Sequence, residues 1–411
     1  MRAKVDTARR VMGSPINFQE VGLRATNAAI ATSYDDVVYD PTAPGHADPN
    51  WVLGLARIIG LGHRTARVLD LGCGNGHILE AVGGATGASL LGIDISPSAC
   101  ARAERNLQKF GSKAAVKCAD VMDLDHEELG KFDLIYLVGT CYVVPDAVRD
   151  RMLDFVGRCL DDGGIAVISY YSGSLHAVRA DLHRRIRVGV RSHKFAERVG
   201  YARLYLQKIE SEVLNSQDQS EMVLQAISDS LKLPDNILYH EVFSDFDAIT
   251  TGNIERKLAP FGLQFVDYIL SSGVVMASTS EERAVSADMG DARRGQYRYA
   301  LFAKTNDKLT FHPTLPNLKW WTDLRFQQLS EENDQSIYCG QGGRLATLVP
   351  GLPNDLLRVL SGAERPLTFS EMRELAMTNT GASEIESASK TDIATALISL
   401  WRLSVAFPRA A

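Results

Sequence analysis

The stretch Arg67-Val68-Leu69-Asp70-Leu71-Gly72-Cys73-Gly74-Asn75-Gly76 constrains the fold of this chain more than any other. It reads as an apolar strand that ends on a carboxylate and runs into a glycine-rich turn. Such a strand can be buried on both faces, as the centre of a parallel sheet requires. The glycines permit a sharp turn and let a ligand approach the main chain. A helix starting near His77 and Ile78 would aim its first N–H groups at that ligand. A dinucleotide turn has the spacing G-x-G-x-x-G, with pyrophosphate on the helix N-terminus. Here the third glycine comes one place early, His77 fills the slot, and an acid stands two residues before the first glycine. That arrangement suits a positively charged ligand better than a pyrophosphate.

The next segments continue the pattern. Ser89 to Asp94 is a second apolar strand ending in an acid, where a ribose diol would need an acceptor. Ser96 is placed to cap a helix that begins at Pro97 and runs through Leu107. Ala114 to Cys118 reads as a third strand, followed by Asp120, which could accept from an adenine amino group. Phe132 to Leu137 is a fourth strand. Leu160-Asp161-Asp162-Gly163-Gly164 is expected to close a helix with its glycines, ahead of a fifth strand from Ile165 to Tyr170. Taken singly, Asp94 or Asp120 reads equally as a turn residue or a helix cap. Taken in order, the strand-end acids resemble those of class I S-adenosylmethionine-dependent methyltransferases. Their cofactor carries an ammonium and a sulfonium and no phosphate, which agrees with Asp70. The resemblance implies an α/β, Rossmann-like class I sheet. It also implies cofactor contacts from Tyr34, Asp70, Gly72, Gly74, Asp94, Ile95, Asp120, Val121 and Val138.

Composition agrees with a large enzyme. At 411 residues the chain has room for two or three domains of roughly 100–200 residues. A net charge of −6 gives no general case for nucleic acid or an anionic membrane. Cys73, Cys100, Cys118, Cys141, Cys159 and Cys339 show no paired C-x-x-C spacing, and most fall inside expected strands or helices. Reduced thiols, a cytoplasmic setting and no metal site are therefore expected. The basic start lacks an apolar run, and no stretch reaches the length of a membrane span. Ser278 to Gly295 reads as a mobile loop.

Beyond Tyr170 a simple class I domain would soon add its last strands. This chain instead inserts segments of helical periodicity at Leu175–Val188, Phe195–Leu214 and Met222–Leu233. Ala202, Leu206 and Ile209 form an apolar stripe that a second subunit could cover, so a homodimer is expected. A helix from Phe246 to Leu258, a strand from Leu263 to Leu270 and a strand from Tyr297 to Ala303 then resume the α/β alternation, the last one antiparallel at the sheet edge. After about Thr310, Trp320, Trp321, the runs Phe369–Ala376 and Ile393–Trp401 and a hairpin-like end at Leu403–Phe407 suggest a small helical domain of winged-helix-like shape. The expected divisions are 1–172, an N-terminal segment with the cofactor domain; 173–237, a helical insert; 238–305, the rest of the sheet; and 306–411, a C-terminal domain.

Ser33-Tyr34-Asp35-Asp36-Val37-Val38-Tyr39 resembles the S-Y-D-E-V-P-Y opening of bacterial methyltransferases that carry a methyltransferase regulatory domain. The span from His46 to Leu61, Leu238-Tyr239-His240-Glu241 through Phe265, and Gln296-Tyr297-Arg298 are also similar to that family. In architecture the chain resembles bacterial outer-membrane-protein lysine methyltransferases and enzymes that methylate the C-terminal carboxylate of ribosomal peptides. The resemblance implies a peptide or protein acceptor, at nitrogen or carboxylate oxygen. Two loops depart from the family pattern: Gly139-Thr140-Cys141-Tyr142-Val143-Val144-Pro145, and Ser169-Tyr170-Tyr171-Ser172-Gly173-Ser174-Leu175-His176. Both follow strands, where ligands bind in open α/β sheets.

Methyl transfer from a sulfonium loses charge as the methyl moves, so alignment and water exclusion can supply much of the rate. A base is required only for a protonated acceptor. Tyr142, Tyr170, Tyr171 and His176 are the candidates near the acceptor, although each tyrosine reads equally as an aromatic packed under a loop and His176 as a helix-end histidine. The basic run Arg179, Arg184, Arg185, Arg187, Arg191, Lys194, Arg198 and Arg203 is either a solvated helix face or a docking surface for an acidic peptide. A methyltransferase of a small natural product, and a cofactor-binding scaffold without transfer, are the alternative readings.

Overall fold

A computed structural model describes residues 27–38, 67–190, 194–216, 220–268 and 296–304, and, further on, 324–328, 331–334, 337–340, 344–347, 352–361, 367–378 and 406–410, with isolated positions between these last segments. Seven strands form one mixed sheet in the order β3-β2-β1-β4-β5-β7-β6. They are β1 Arg67–Leu71, β2 Ser89–Asp94, β3 Ala114–Cys118, β4 Phe132–Leu137, β5 Leu160–Ser172, β6 Leu263–Tyr268 and β7 Gln296–Lys304. The first five pair in parallel, and β7 runs antiparallel between β5 and β6. This is the Rossmann-like class I methyltransferase sheet. The antiparallel strand is not at the edge as expected; β6 takes the edge, and β7 is paired on both sides.

Helices α1 Asn27–Asp36, α2 His77–Thr86, α3 Pro97–Leu107, α4 His126–Leu129 and α5 Asp146–Cys159 alternate with the parallel strands. Period-two alternation sorts the strand residues between two apolar layers. Val68, Leu90, Leu134 and Val167 pack with Ile78, Leu79, Val82 and Leu107 on one face. Leu69, Leu71, Ile135, Leu137 and Ile168 pack with Phe155 and Val156 on the other. Leu356, Leu357, Met372 and Ile393 of the C-terminal region extend the first layer. Among the described residues no helix is long and apolar enough to cross a membrane.

Leu160–Gly164 departs from the sequence reading. Helix α5 ends at Cys159, and these residues open β5 instead. Pairing steps from Phe132↔Leu160 to Leu134↔Ile165, so Asp161–Gly164 bulge out of the ladder, with Gly163 at φ +77°. The glycines that resemble a helix stop serve a bulge.

The insert consists of α6 Ser174–Gly189, α7 Phe195–Leu214 and α8 Glu221–Leu231, followed by α9 Asp235–Phe243. Its stripe needs no second subunit. Ala202, Leu206 and Ile209 are buried with Leu182, Ile186, Val223, Ile227, Leu238 and Val242 in a third core made by these four helices. Burial of each large aliphatic side chain contributes about 1.5–3 kcal/mol, and the chain collects that contribution internally. The expected helix over Phe246–Leu258 is shorter: α10 spans Thr251–Leu258, started by Thr250, whose side chain accepts the Asn253 N–H. In the C-terminal region Ala406–Ala410 pairs antiparallel with Leu324–Gln328, so the last strand's partner is distant in sequence rather than a local hairpin arm. Trp320, Trp321 and Ser278–Gly295 lie outside the described residues.

Candidate active site

The glycine turn is built by strapping β1 to β2. The N–H groups of Gly72 and Cys73 both donate to the Ile93 carbonyl, at 2.8 and 3.1 Å. Gly72 has φ +79°, and a Cβ there would lie 2.2 Å from Thr140 Oγ1. Gly74 has φ +54° with open space where a Cβ would project. Its N–H donates to Asp94 Oδ2 at 2.8 Å, and the Ser96 N–H donates to Asp94 Oδ1 at 2.9 Å. Asn75 Oδ1 accepts the His77 N–H at 3.2 Å, which starts α2 at the residue expected. Ser96 caps α3 as its sequence implies, accepting from Ala99 N–H at 3.1 Å.

A cavity of about 400 Å³ opens at the carboxyl ends of β1, β2 and β4. Every residue expected at the cofactor lines it: Tyr34, Asp70, Gly72, Gly74, Asp94, Ile95, Asp120, Val121 and Val138. Asp70 is 1% exposed, and among the described residues neither of its carboxylate oxygens has a hydrogen-bond partner. Burial, and then the charge of Asp94, push its pKa up to about 8. Burial raises Asp94 as well, against the Ser96 and Gly74 N–H groups that favour its ionised form. Arg102 lines the same cavity and eases Asp94, but buried Asp70, with Asp94 beside it, is costly to ionise without a cation. S-adenosylmethionine fits this chemistry: its cationic methionine half could satisfy Asp70, its ribose hydroxyls could donate to Asp94, and Ile95 and Val121 offer an apolar wall for adenine. Asp120 accepts Met122 N–H at 2.9 Å and borders the same wall.

Helix α1 brings Tyr34 to the cavity and is tied at both sides. Asp35 Oδ1 accepts from Ser96 Oγ at 2.6 Å and from Ser98 N–H at 3.0 Å, reinforcing the α3 start. On the other side Tyr34 stacks on His240 of α9, with centroids 4.2 Å apart and planes 12° apart. His240 Nε2 lies 2.6 Å from the Val37 carbonyl, which can only accept, so the imidazole donates there. Burial holds the His240 pKa down at about 4. Ser33–Val38 and Leu238–Glu241, from two segments similar to the bacterial family, therefore meet beside the cavity.

The remaining end of the cavity is aromatic. Tyr142, Tyr171, Tyr297 and Tyr299 line it. Tyr171 and Tyr297 are direct cross-strand partners, with centroids 4.7 Å apart. Tyr142 sets its edge against both, at 4.9 and 5.6 Å. Tyr297 Oη lies 2.7 Å from Ser169 Oγ, which accepts the Gly139 N–H at 2.8 Å. Tyr171 Oη donates to Glu241 Oε1 at 3.3 Å, and Glu241 in turn pairs with Arg179 in a contact where both side chains are 4% exposed. Arg179 also lies over the Tyr171 ring.

Of the four candidates near the acceptor, Tyr142 and Tyr171 line the cavity and Tyr170 and His176 do not. Tyr170 is fully buried and bonds Thr251 Oγ1 at 2.8 Å, one residue out of phase with Tyr171 on the strand. His176 packs against the Tyr171 ring at 4.4 Å, and burial, aided by Arg179, lowers its pKa to about 3. It is a poor base at neutral pH. Tyr297 and Tyr299, absent from the sequence reading of the site, carried one signal: their spacing of two in an expected strand places both on one face. The basic run is spent largely on internal ties. Arg179 pairs with Glu241, Arg185 and Arg184 with Asp181, Arg187 with Asp245, and Arg203 with Asp235. Of these, Arg184 is the most exposed; Lys194, more exposed still, pairs with Glu197, and Arg191 lies outside the described residues.

Residues 68–164 match the family described as methyltransferase domain. This chain carries a class I methyltransferase domain. S-adenosylmethionine is the cofactor of that domain, and the glycine turn and paired acids lie within its span. Among relatives, an uncharacterized protein of Rickettsia prowazekii is 32% identical over 143 residues, covering 34% of this chain and 57% of its own length. A ubiquinone biosynthesis O-methyltransferase of Aromatoleum aromaticum is 35% identical over 80 residues, 20% of this chain and 34% of that protein. The match thus spans less than two thirds of the length of these curated relatives. PKMT2 from Rickettsia typhi, solved in complex with AdoHcy, superposes on 91% of this chain and 77% of that chain with a TM-score of 0.67 at 17% identity. At that identity the likeness establishes the shared fold.

Proposed function

We propose that this methyltransferase transfers a methyl group to an amine of a peptide or protein. The observation that carries the reading is the make-up of the cavity wall. Its acceptor end is a cluster of four tyrosines, its acidic lining is Asp70, Asp94 and Asp120, and among the described residues Arg102 is the one Lys or Arg in it. Aromatic faces favour a cationic or amine group, whereas a carboxylate acceptor would meet ring faces; the three acids belong to the cofactor end. Arg102 lies on α3, where it bonds Ser98 Oγ at 3.3 Å.

S-adenosylmethionine, when bound, supplies an electrophilic methyl on sulfur. The protein's own residues exclude water, hold the amine among the rings and align it, and alignment of this kind can contribute about 7–11 kcal/mol. An amine arriving as ammonium must first lose its proton to solvent; His176 is held neutral and off the cavity lining, and alignment carries the transfer. Support for a peptide or protein acceptor comes from the shared fold with PKMT2, which extends well beyond residues 68–164, and from the resemblance to bacterial outer-membrane-protein lysine methyltransferases. The local identity to a ubiquinone biosynthesis O-methyltransferase favours a small-molecule acceptor instead.

The test is a panel of lysine-containing peptides, small amines and phenolic small molecules, read by intact mass after incubation with S-adenosylmethionine. Turnover confined to peptide amines supports the reading. Preferred turnover of a small phenol transfers the case to small-molecule methylation, and cofactor binding without any turnover points to a scaffold.

A further inference from the structure

We propose that His240 is a positioning residue for the cofactor, holding Tyr34 at the cavity from behind. His240 is 2% exposed and is not itself part of the cavity wall. It grips α1 twice. Its ring lies flat on the Tyr34 ring at 4.2 Å, and its Nε2–H donates to the carbonyl of Val37, three residues further along the same segment, at 2.6 Å. Asn236 Nδ2, one turn earlier on α9, adds a bond to the Val38 carbonyl at 3.3 Å. α9 thus gives Tyr34 a ring contact and its segment two backbone ties, while Asp35 holds the same helix to Ser96 and Ser98.

The turn that carries His240 is itself anchored. The next residue, Glu241, forms the buried pair with Arg179 and accepts from Tyr171. Consecutive residues of α9 thus support an aromatic at the cofactor end and an aromatic at the acceptor end of one cavity. A histidine that merely filled the core would need neither the parallel stack nor the donor aimed at α1. The proposal rests on the cofactor assignment and is independent of which acceptor is methylated.

The experiment is calorimetric binding of S-adenosylhomocysteine to the full chain, which needs no acceptor and therefore stands whether or not the amine reading survives. His240→Ala and Tyr34→Ala are each expected to weaken binding about 10-fold, the scale of one lost aromatic contact with its hydrogen bond. The double variant should bind no more weakly than Tyr34→Ala alone, because His240 acts through Tyr34. His240→Phe keeps a ring behind Tyr34 and should recover binding to within about 3-fold of the natural protein. Wild-type affinity in His240→Ala, or losses that multiply in the double variant, would overturn the proposal. Should His240→Ala fail to fold, the order of two milder variants decides. His240→Gln keeps a donor but loses the ring and must bind more weakly than His240→Phe; equal or reversed affinities contradict the role.

Discussion

The Gly74 N–H donates to Asp94 Oδ2 at 2.8 Å, so the carboxylate placed to receive a ribose diol also locks the glycine turn in shape. Asp94→Ala should therefore lose both ligand bonds and the turn's fixed geometry. At about 1.5–3 kcal/mol for each charge-assisted bond, with allowance for non-additivity, the cost to cofactor binding is about 2–4 kcal/mol. Calorimetry with S-adenosylhomocysteine measures it, and an unchanged affinity would remove Asp94 from the site.

The two glycines of the turn should fail differently. A Cβ at Gly72 would collide with Thr140 Oγ1 in a left-handed backbone, so Gly72→Ala should lower thermal stability, and Thr140→Ala should relieve part of that loss. A Cβ at Gly74 would meet open space; Gly74→Ala should cost about 1 kcal/mol or a little more of backbone strain, yet weaken cofactor binding by obstructing its approach. Thermal melts and binding on both variants separate the effects. Equal losses of stability would contradict the geometry.

Asp70 makes cofactor binding depend on pH. Its folded pKa of about 8 lies above the ordinary 3.8, so the folded, cofactor-free protein holds a proton that the unfolded chain has released. That contribution to stability is complete below about pH 4 and is lost as pH rises through about 8. A cationic ligand favours the carboxylate, so binding should release a proton near neutrality and tighten as pH rises toward 8. Calorimetry in buffers of different ionisation enthalpy detects the release. Asp70→Asn should abolish it.

The parallel strands, the glycine turn, Ser96 as a cap and the acids at the strand ends were legible because each depends on residues close in sequence. What escaped depends on pairing between distant segments. Tyr170 and Tyr171 are adjacent, and only the ladder with β7, in which Tyr171 faces Tyr297, selects which of them reaches the cavity. The Asp161–Gly164 bulge shifts the register upstream of them and has no sequence signature distinct from a helix stop. Ala202, Leu206 and Ile209 read correctly as a buried stripe, but their cover comes from α6, α8 and α9, a choice that periodicity alone does not make. His240 lay inside a recognised segment, and its use appears only when α1 and α9 meet.

The Arg179–Glu241 pair should be the most sensitive polar contact of the insert. Both side chains are 4% exposed, so Glu241→Gln leaves a buried guanidinium without its counter-charge and should destabilise the fold by about 3–5 kcal/mol. Denaturant unfolding reads this directly. A loss near zero would mean that Arg179 finds another acid, which the packing against Tyr171 and Phe246 does not offer.

Transfer to an amine is tested most directly by the chemical stability of the product bond. A lysine-containing peptide is incubated with the protein and S-adenosylmethionine carrying a labelled methyl group, then exposed to mild alkali. Retention of the label on the lysine side chain, with loss of transfer in Asp94→Ala, is the predicted result. Release of the label as methanol would identify a carboxylate ester and contradict the reading of the tyrosine-lined cavity as an amine site.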